Sequence, residues 1–375
     1  MSAASLPRPG GAIEAPTIDD YRSGDDAAIV ACLREAFAAP ARLERWRHLH
    51  RENPAGPSVI VVARHGGRIV GQIASLRRRL RFFGAQEPIA HALDTVVHPD
   101  WQHRGVFPAL VAASTRALGR DGLDVTYGVA NDAARHVAEK YEHRRPLGAF
   151  PVLVRPLRPL GSLTAVARHH LARRFGPRTR TVPECAAAGP VPTPPGPSLV
   201  DASRGAWTPP RFDGRHDELF AHAGDLPPIA FVRDAAALAW RYPDATGCPY
   251  AQRDLVDGGR VLATAVVRAI DAAGLRLVLV MEWHWRRGGI DAGRALARDV
   301  LALARRAGAH GVAAMGARGS AQRRALGGLG FLALPARAFP QRAWPGIDAR
   351  APHAADGRWR EPANWYFTWG DGFTL

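Results

Sequence analysis

The chain has 375 residues, 47% of them hydrophobic and 22% charged, which is room for two or three domains with cores of their own and not the profile of a disordered chain. No run of about 18 apolar residues occurs, and Met1 to Ala15 lacks a basic start before an apolar stretch, so the sequence predicts neither a membrane span nor a signal peptide. Cys32, Cys185 and Cys248 are too scattered for a disulfide framework or a metal pattern, which fits a cytoplasmic protein. The net charge of +16 comes almost wholly from arginine, with Lys140 the only lysine, and is spread along the chain apart from Arg77 to Arg81 and Arg168 to Arg180. Attraction to a small anionic ligand accounts for it as well as a nucleic acid or an anionic membrane surface would.

Residues 1–16, rich in Ala, Pro and Gly, read as a tail. A strand from Thr17 leads through Ser23-Gly24-Asp25-Asp26, a turn and helix-cap signal, to a helix over Ala27 to Phe37. A second helix covers Ala41 to Leu49 and carries Trp46. Ser58 to Ala63 and Arg68 to Leu76 form a hairpin around Gly66-Gly67. In Leu76 to Arg81 the alternation places Arg77, Arg79 and Arg81 on the solvent side of a half-buried strand.

Gly84-Ala85-Gln86 then turns the chain into its most informative stretch, Ala90 to Leu118. An apolar run to Val97 is stopped by His98-Pro99-Asp100, followed by Trp101-Gln102-His103-Arg104-Gly105 and a helical pattern from Val106. Strand, tight loop and helix leave unpaired N–H groups at the helix start, where the dipole favours negative charge, so the junction can hold a phosphate. Gly105 permits close approach, and Pro108 in the first turn loses no needed donor. A strand over Asp124 to Ala130, a helix from Asn131 to about Tyr141 and a closing strand over Ala149 to Pro156 follow.

The order Val-x-Pro, Gln-x-x-Gly, amphipathic helix resembles motif A of the GNAT (GCN5-related) N-acetyltransferases, and the order of elements over residues 17–156 is similar to theirs. Gln102 and Gly105 match the motif, while Phe107 stands where a small residue is usual. The resemblance implies acetyl-CoA as co-substrate, with the main chain of Val96 and Val97 on the pantetheine and the amides of Gln102, His103, Arg104, Gly105, Val106 and Phe107 on the pyrophosphate. Asn131 and Ala134 match an Asn-x-x-Ala pattern of the same cofactor region, although the tyrosine that follows it in many members is Ala138 here, with Tyr141 one turn later and Tyr127 on the preceding strand. For the base, the family position six residues before the Val of Val-x-Pro is His91; Asp94, a carboxylate in an apolar strand, is the other candidate. Three residues apart on a strand, the two are expected on opposite faces. Tyr141 is the candidate acid, and no metal is required.

Beyond Pro156 the pattern weakens. Residues 157–229 are expected to be a linker with a basic helix over Leu163 to Phe175 and a Pro-rich stretch over Thr181 to Pro210. Residues 230–340 then repeat the earlier pattern: Ala239-Trp240-Arg241 parallels Arg45-Trp46-Arg47, Gly258-Gly259-Arg260 parallels Gly66-Gly67-Arg68, and Leu275 to Trp285, Ala292 to Arg306 and Gly311 to Met315 parallel the central strand, helix and next strand. In place of the phosphate loop stands Arg286-Arg287-Gly288-Gly289-Ile290-Asp291. The sequence thus predicts an α/β protein of two tandem GNAT-like domains, each a mixed, mostly antiparallel sheet flanked by helices, the second degenerate. Residues 341–375 form an aromatic tail packed on the domains as a strand. The expected activity is transfer of an acetyl group to a primary amine of a small molecule or peptide. The competing readings are a non-catalytic acyl-CoA-binding scaffold and, with the least support, nucleic-acid binding through Arg168 to Arg180.

Overall fold

The computed structural model describes residues 14–37, 41–159, 161, 199, 207–243, 250–272, 274–334 and 343–372. Most of the expected linker, including its basic helix, and Cys185 and Cys248 fall outside them.

Two mixed sheets organise the chain. The first contains β1 (Thr17–Asp20), β2 (Val59–His65), β3 (Arg68–Phe82), β4 (Ala85–Val97) and β5 (Val125–Ala130), in that order across the sheet. Neighbours are antiparallel except β4 and β5, which run parallel through the crossover helix α3 (Val106–Arg120). The two stretches read as strand, Arg68 to Leu76 and Leu76 to Arg81, form one continuous strand to Phe82, with Leu76, Leu80 and Phe82 extending its apolar face. Helices α1 (Asp26–Phe37) and α2 (Leu43–His50) cover one face, where Ile29, Leu33 and Trp46 pack with Ile60, Val62 and Val96. Helix α3 covers the other, with Val106 and Leu110 on Val59, Val61 and Ala90. Helix α4 (Asp132–Tyr141), capped by Asn131, follows β5 and leads to β6 (Arg145–Pro146).

The second sheet repeats this order with β9 (Tyr250–Asp257), β10 (Arg260–Ala272), β11 (Leu275–Trp285) and β12 (Gly311–Met315). Here too the hairpin is antiparallel and the crossover pair, β11 and β12, is parallel through a helix, α7 (Ile290–Arg306). Gly293, Leu296, Ala297, Val300 and Ala304 place one apolar stripe of α7 on the sheet. Helix α8 (Ala321–Gly327) leads to β13 (Leu332–Ala333).

The sequence expectation fails at the strand that completes each sheet. Strand β7 (Val152–Pro156), expected to close the first sheet, lies instead in the second, between β12 and β13, with Val154 opposite Ala313. The corresponding place in the first sheet, between β5 and β6, is taken by β14 (Trp344–Ala349) from the tail, with Ile347 opposite Tyr127. The exchange gives both sheets a common core: Val125, Tyr127 and Ile347 of one pack with Val152, Ala313 and Met315 of the other.

Two further segments cross the expected boundaries. Residues 207–228, read as linker, hold Trp207 fully buried in the second core, and α5 (Gly214–Ala221) packs on that sheet. Strand β8 (Ile229–Phe231) joins the first sheet by pairing with β3 beyond the end of β2, and β15 (Trp365–Tyr366) pairs with β8, which makes the tail a strand as expected. A short helix, α6 (Ala235–Arg241), follows β8, and α9 (Trp369–Gly372) follows β15.

The tail is therefore part of the core. Trp359 is fully buried and stacks on Phe82 with centroids 3.9 Å apart. Trp359→Ala should lower stability by roughly 3–5 kcal/mol in denaturant unfolding, the usual range for truncating a core aromatic; a loss under about 1 kcal/mol would mean that the tail is only a surface appendage.

Candidate active site

The first sheet opens where the phosphate-loop motif leaves it. Strands β4 and β5 pair only at Ala90–Thr126, His91–Tyr127 and Ala92–Gly128, yet β4 runs on to Val97 and β5 to Ala130. From Leu93 to Val97 the β5 side of β4 has no strand partner among the described residues, so the sheet forks. Backbone donors and acceptors in such a fork must be met by solvent or a ligand. At its far end a 3-10 turn (Pro99–Trp101) leads to Gly105, which starts α3 with φ +79° and no side-chain cap. The first N–H groups of α3 therefore face an exposed loop. Gln102 turns inward, its Nε2 donating to the carbonyl of Val97 at 3.0 Å, and fixes the loop against the strand. Arg104 lies over the Trp101 ring, His103 is exposed with φ +60°, and Phe107 meets Tyr141 edge-on at 5.6 Å. Val96 is buried in the α1/α2 core and Val97 packs toward α3. Asn131 spends its side-chain oxygen on the N–H of Ala134, so its first role is to cap α4.

A β-bulge changes the relation between the two candidate bases. The register with β3 shifts between Gln72 and Ala74, and Asp94 sits in the bulge with φ +48°, an uncommon conformation for a residue with a side chain. His91 faces away from Ala90 and α3, and the bulge returns Asp94 to that same face, where its Oδ2 is 2.8 Å from His50 Nε2 on α2. The expectation of opposite faces is thus overturned by one extra residue in the strand. His50 Nδ1 lies 3.0 Å from Ser58 Oγ, which makes a buried chain Ser58–His50–Asp94. Asp94 Oδ1 is buried without a hydrogen-bond partner.

His91 lies edge-on to Tyr127 at 4.9 Å, and neither its Nδ1 nor the Tyr127 hydroxyl has a partner. Tyr141 belongs to the opposite, α3 face, with Phe107. On that face the Arg144 guanidinium packs against Gly128 at the mouth of the fork, so closely that a side chain at Gly128 would collide with it, and it pairs with Glu142.

The second sheet has the same fork and the same bulge, between Val266 and Val267, but both openings are filled. In the loop before α7, the Asp225 carboxylate accepts from Gly288 N–H at 3.2 Å and Trp285 Nε1 at 3.0 Å, so the protein supplies its own anion. In the fork, Trp369 Nε1 donates to the carbonyl of Ala313, and a side chain on Gly370 would meet Tyr242, Glu282 and Met281. Beneath this plug Arg233 bonds Glu282 at 2.7 Å and Asp371 at 2.5 Å. Burial holds the Glu282 carboxyl above its ordinary range despite Arg233 beside it.

Sequence reasoning missed His50, Arg144 and Arg78. No spacing links His50 to Asp94. Arg78 was legible: the alternation that sets Arg77, Arg79 and Arg81 on one face puts Arg78 on the other, with His91. Those three are also not merely solvated, since Arg77 pairs with Asp121, Arg79 with Asp234, and Arg81 donates to Ala223.

Residues 17–144 match the family model described as the acetyltransferase (GNAT) domain. No curated protein matches the chain in sequence. Among solved structures, the chain is similar in fold to Saccharomyces cerevisiae N-myristoyltransferase with bound myristoyl-CoA (TM-score 0.54, 12% identity, covering 91% of this chain and 80% of that one). It is also similar to a probable N-acyltransferase of Enterococcus faecalis V583 (0.54, 14%, 89% and 71%) and to a GCN5-related N-acetyltransferase of Anabaena variabilis (0.55, 10%, 88% and 72%). Residues 17–144 are a GNAT domain, and the fold likeness to these structures extends over about nine-tenths of the chain. Among the described residues no cluster of His, Cys, Asp or Glu could hold a metal, and no helix is long and apolar enough to cross a membrane.

Burial, with the charges of Arg78, Arg144 and Arg241, holds the His91 imidazole well below its ordinary 6.5, so it is neutral in the fold. The unfolded chain takes up this proton below about pH 6.5, and the stability that neutral His91 contributes at pH 7 is lost as the pH falls. Between pH 6 and 5 the unfolding free energy of the wild type should fall more steeply than that of His91→Gln, by up to about 1.4 kcal/mol per pH unit. Equal slopes would show that His91 is not held neutral.

Proposed function

We propose that the protein is a CoA-dependent N-acyltransferase that moves an acetyl group from acetyl-CoA to a primary amine of a small molecule or peptide. The observation that carries the reading is the fork after Ala92 and Gly128, with a bulge at Asp94 and a glycine-started helix at its end. The β5 side of Leu93 to Val97, which has no strand partner among the described residues, suits the amide-bearing pantetheine arm, and the N–H groups of residues 103–107 suit the pyrophosphate. When bound, acetyl-CoA supplies the activated thioester. The similarity to an N-myristoyltransferase leaves longer acyl chains as an alternative donor.

The chain's own residues divide the remaining work. The α3 face holds the cofactor, and the acceptor reaches the fork from the face of His91 and Asp94. Asp94 is the base: His50 Nε2–H, itself oriented by Ser58 hydroxyl donation to Nδ1, donates to Oδ2 and leaves Oδ1 free to take a proton from the amine. The strained backbone of Asp94 aims that oxygen. His91, whose pKa is held far down, is a poor proton acceptor at neutral pH and serves as a polar wall. On the cofactor side Tyr141 is the candidate acid for the leaving thiolate, and Arg144 brings positive charge to the same fork. The replacement of the family tyrosine by Ala138 favours the second reading, a non-catalytic acyl-CoA-binding protein.

Release of free thiol from acetyl-CoA over a panel of primary amines tests the proposal. Saturable turnover is expected, and Asp94→Asn should lower kcat by about 100-fold or more with a small change in cofactor affinity. Binding without turnover for every amine would leave the non-catalytic reading standing.

A further inference from the structure

On the face of the first sheet that carries His91, Arg78 extends to Phe231 of β8 and Trp240 of α6. Its guanidinium carbon lies 4.3 Å from the ring centre of Phe231 and 5.9 Å from that of Trp240. Its guanidinium makes no hydrogen bond or ion pair with any described residue, and the residue keeps part of its surface exposed. The carboxylates nearest in charge, Glu282 and Asp371, are both bonded to Arg233. The ring of Phe231 is also flanked by His91 at 6.0 Å and Tyr127 at 5.1 Å, whose Nδ1 and hydroxyl are the unpartnered atoms described above. One unpaired cation and two unpaired polar groups therefore surround a single aromatic wall. Left without a ligand, buried polar groups of this kind cost stability. A guanidinium and a phenol that pack on the same ring match a carboxylate, which can accept from both. In the strand register the His91–Tyr127 pair is one step before the fork, and Arg78 is diagonal to His91 on the side away from it.

We propose that Arg78 and the Tyr127 hydroxyl form a subsite for a carboxylate on the acceptor, so that the substrate class is amines bearing a carboxylate, held with the amine toward the fork. The inference rests on the acyl-transfer reading for the word acceptor, but the subsite itself does not depend on turnover.

The test uses the full chain and two arms of probes: ω-amino acids from glycine to 6-aminohexanoate, and the dipeptide Gly-Gly, each against its amide. The wild type is expected to prefer the free carboxylate in kcat/KM by about 10- to 100-fold, the effect of one charge-assisted contact, with the best member of the series reporting the spacing from Arg78 to the fork. Arg78→Gln should abolish this preference through KM, while Arg78→Lys, which keeps the charge, should restore part of it. Equal use of acids and amides by the wild type, or a preference that survives in Arg78→Gln, would overturn the subsite. Calorimetric titration of 6-aminohexanoate and Gly-Gly separates this from failure of the acyl-transfer reading. Binding that is lost in Arg78→Gln without any turnover keeps the subsite and removes the reaction, whereas absence of binding removes the subsite.

Discussion

Each sheet of this protein is incomplete without a strand from the other half of the chain. Strand β7 fills the second sheet and β14 the first, so the hydrogen-bonded ladders and the core around Tyr127, Ile347, Val152 and Met315 form together or not at all. An exchange of this kind removes the freedom of two linked domains to shift against each other. Arg78 and His91 are then held against the ring of Phe231 on β8, with Trp240 of α6 also near Arg78.

The two forks show how one topology serves two ends. Both sheets part a parallel strand pair and both place a bulge beside the gap. In the second half the gap is closed by the tail helix and the loop by Asp225, and the interior polarity is consumed by the Arg233, Glu282 and Asp371 network. In the first half the β5 side of Leu93 to Val97 has no strand partner among the described residues, and no side chain caps the start of α3. Of the two forks, only the first is left open by the described residues.

Much of this was legible in sequence because local signals agree with the final fold. The tight loop up to Gly105, the central strand ending at Val97, the helix from Val106 and the repeat over Leu275 to Met315 all rest on periodicity, glycine placement and caps that act over short distances. The strand exchange was not legible, because a strand such as Val-Leu-Val-Arg-Pro carries an apolar face but no address for its partner. The bulge at Asp94 was hidden for a related reason: it shows as a register shift against β3, and a strand pattern read alone assumes a period of two. His50 reaches Asp94 only through the packing of α2 on the sheet, and Arg78 was obscured by its arginine neighbours on the other face.

The claim on which the account rests is that the first fork is the single cofactor-competent one. Calorimetric titration of the full chain with acetyl-CoA tests this most directly, with Gly105→Glu as the partner variant, since a side chain there strains the loop at φ +79° and its carboxylate repels the pyrophosphate, while nothing of the core lies within 4 Å. The account predicts one molecule bound per chain in the wild type and none in the variant at the same concentrations. Two molecules per chain, or one that still binds after Gly105→Glu, would place the cofactor elsewhere and contradict it.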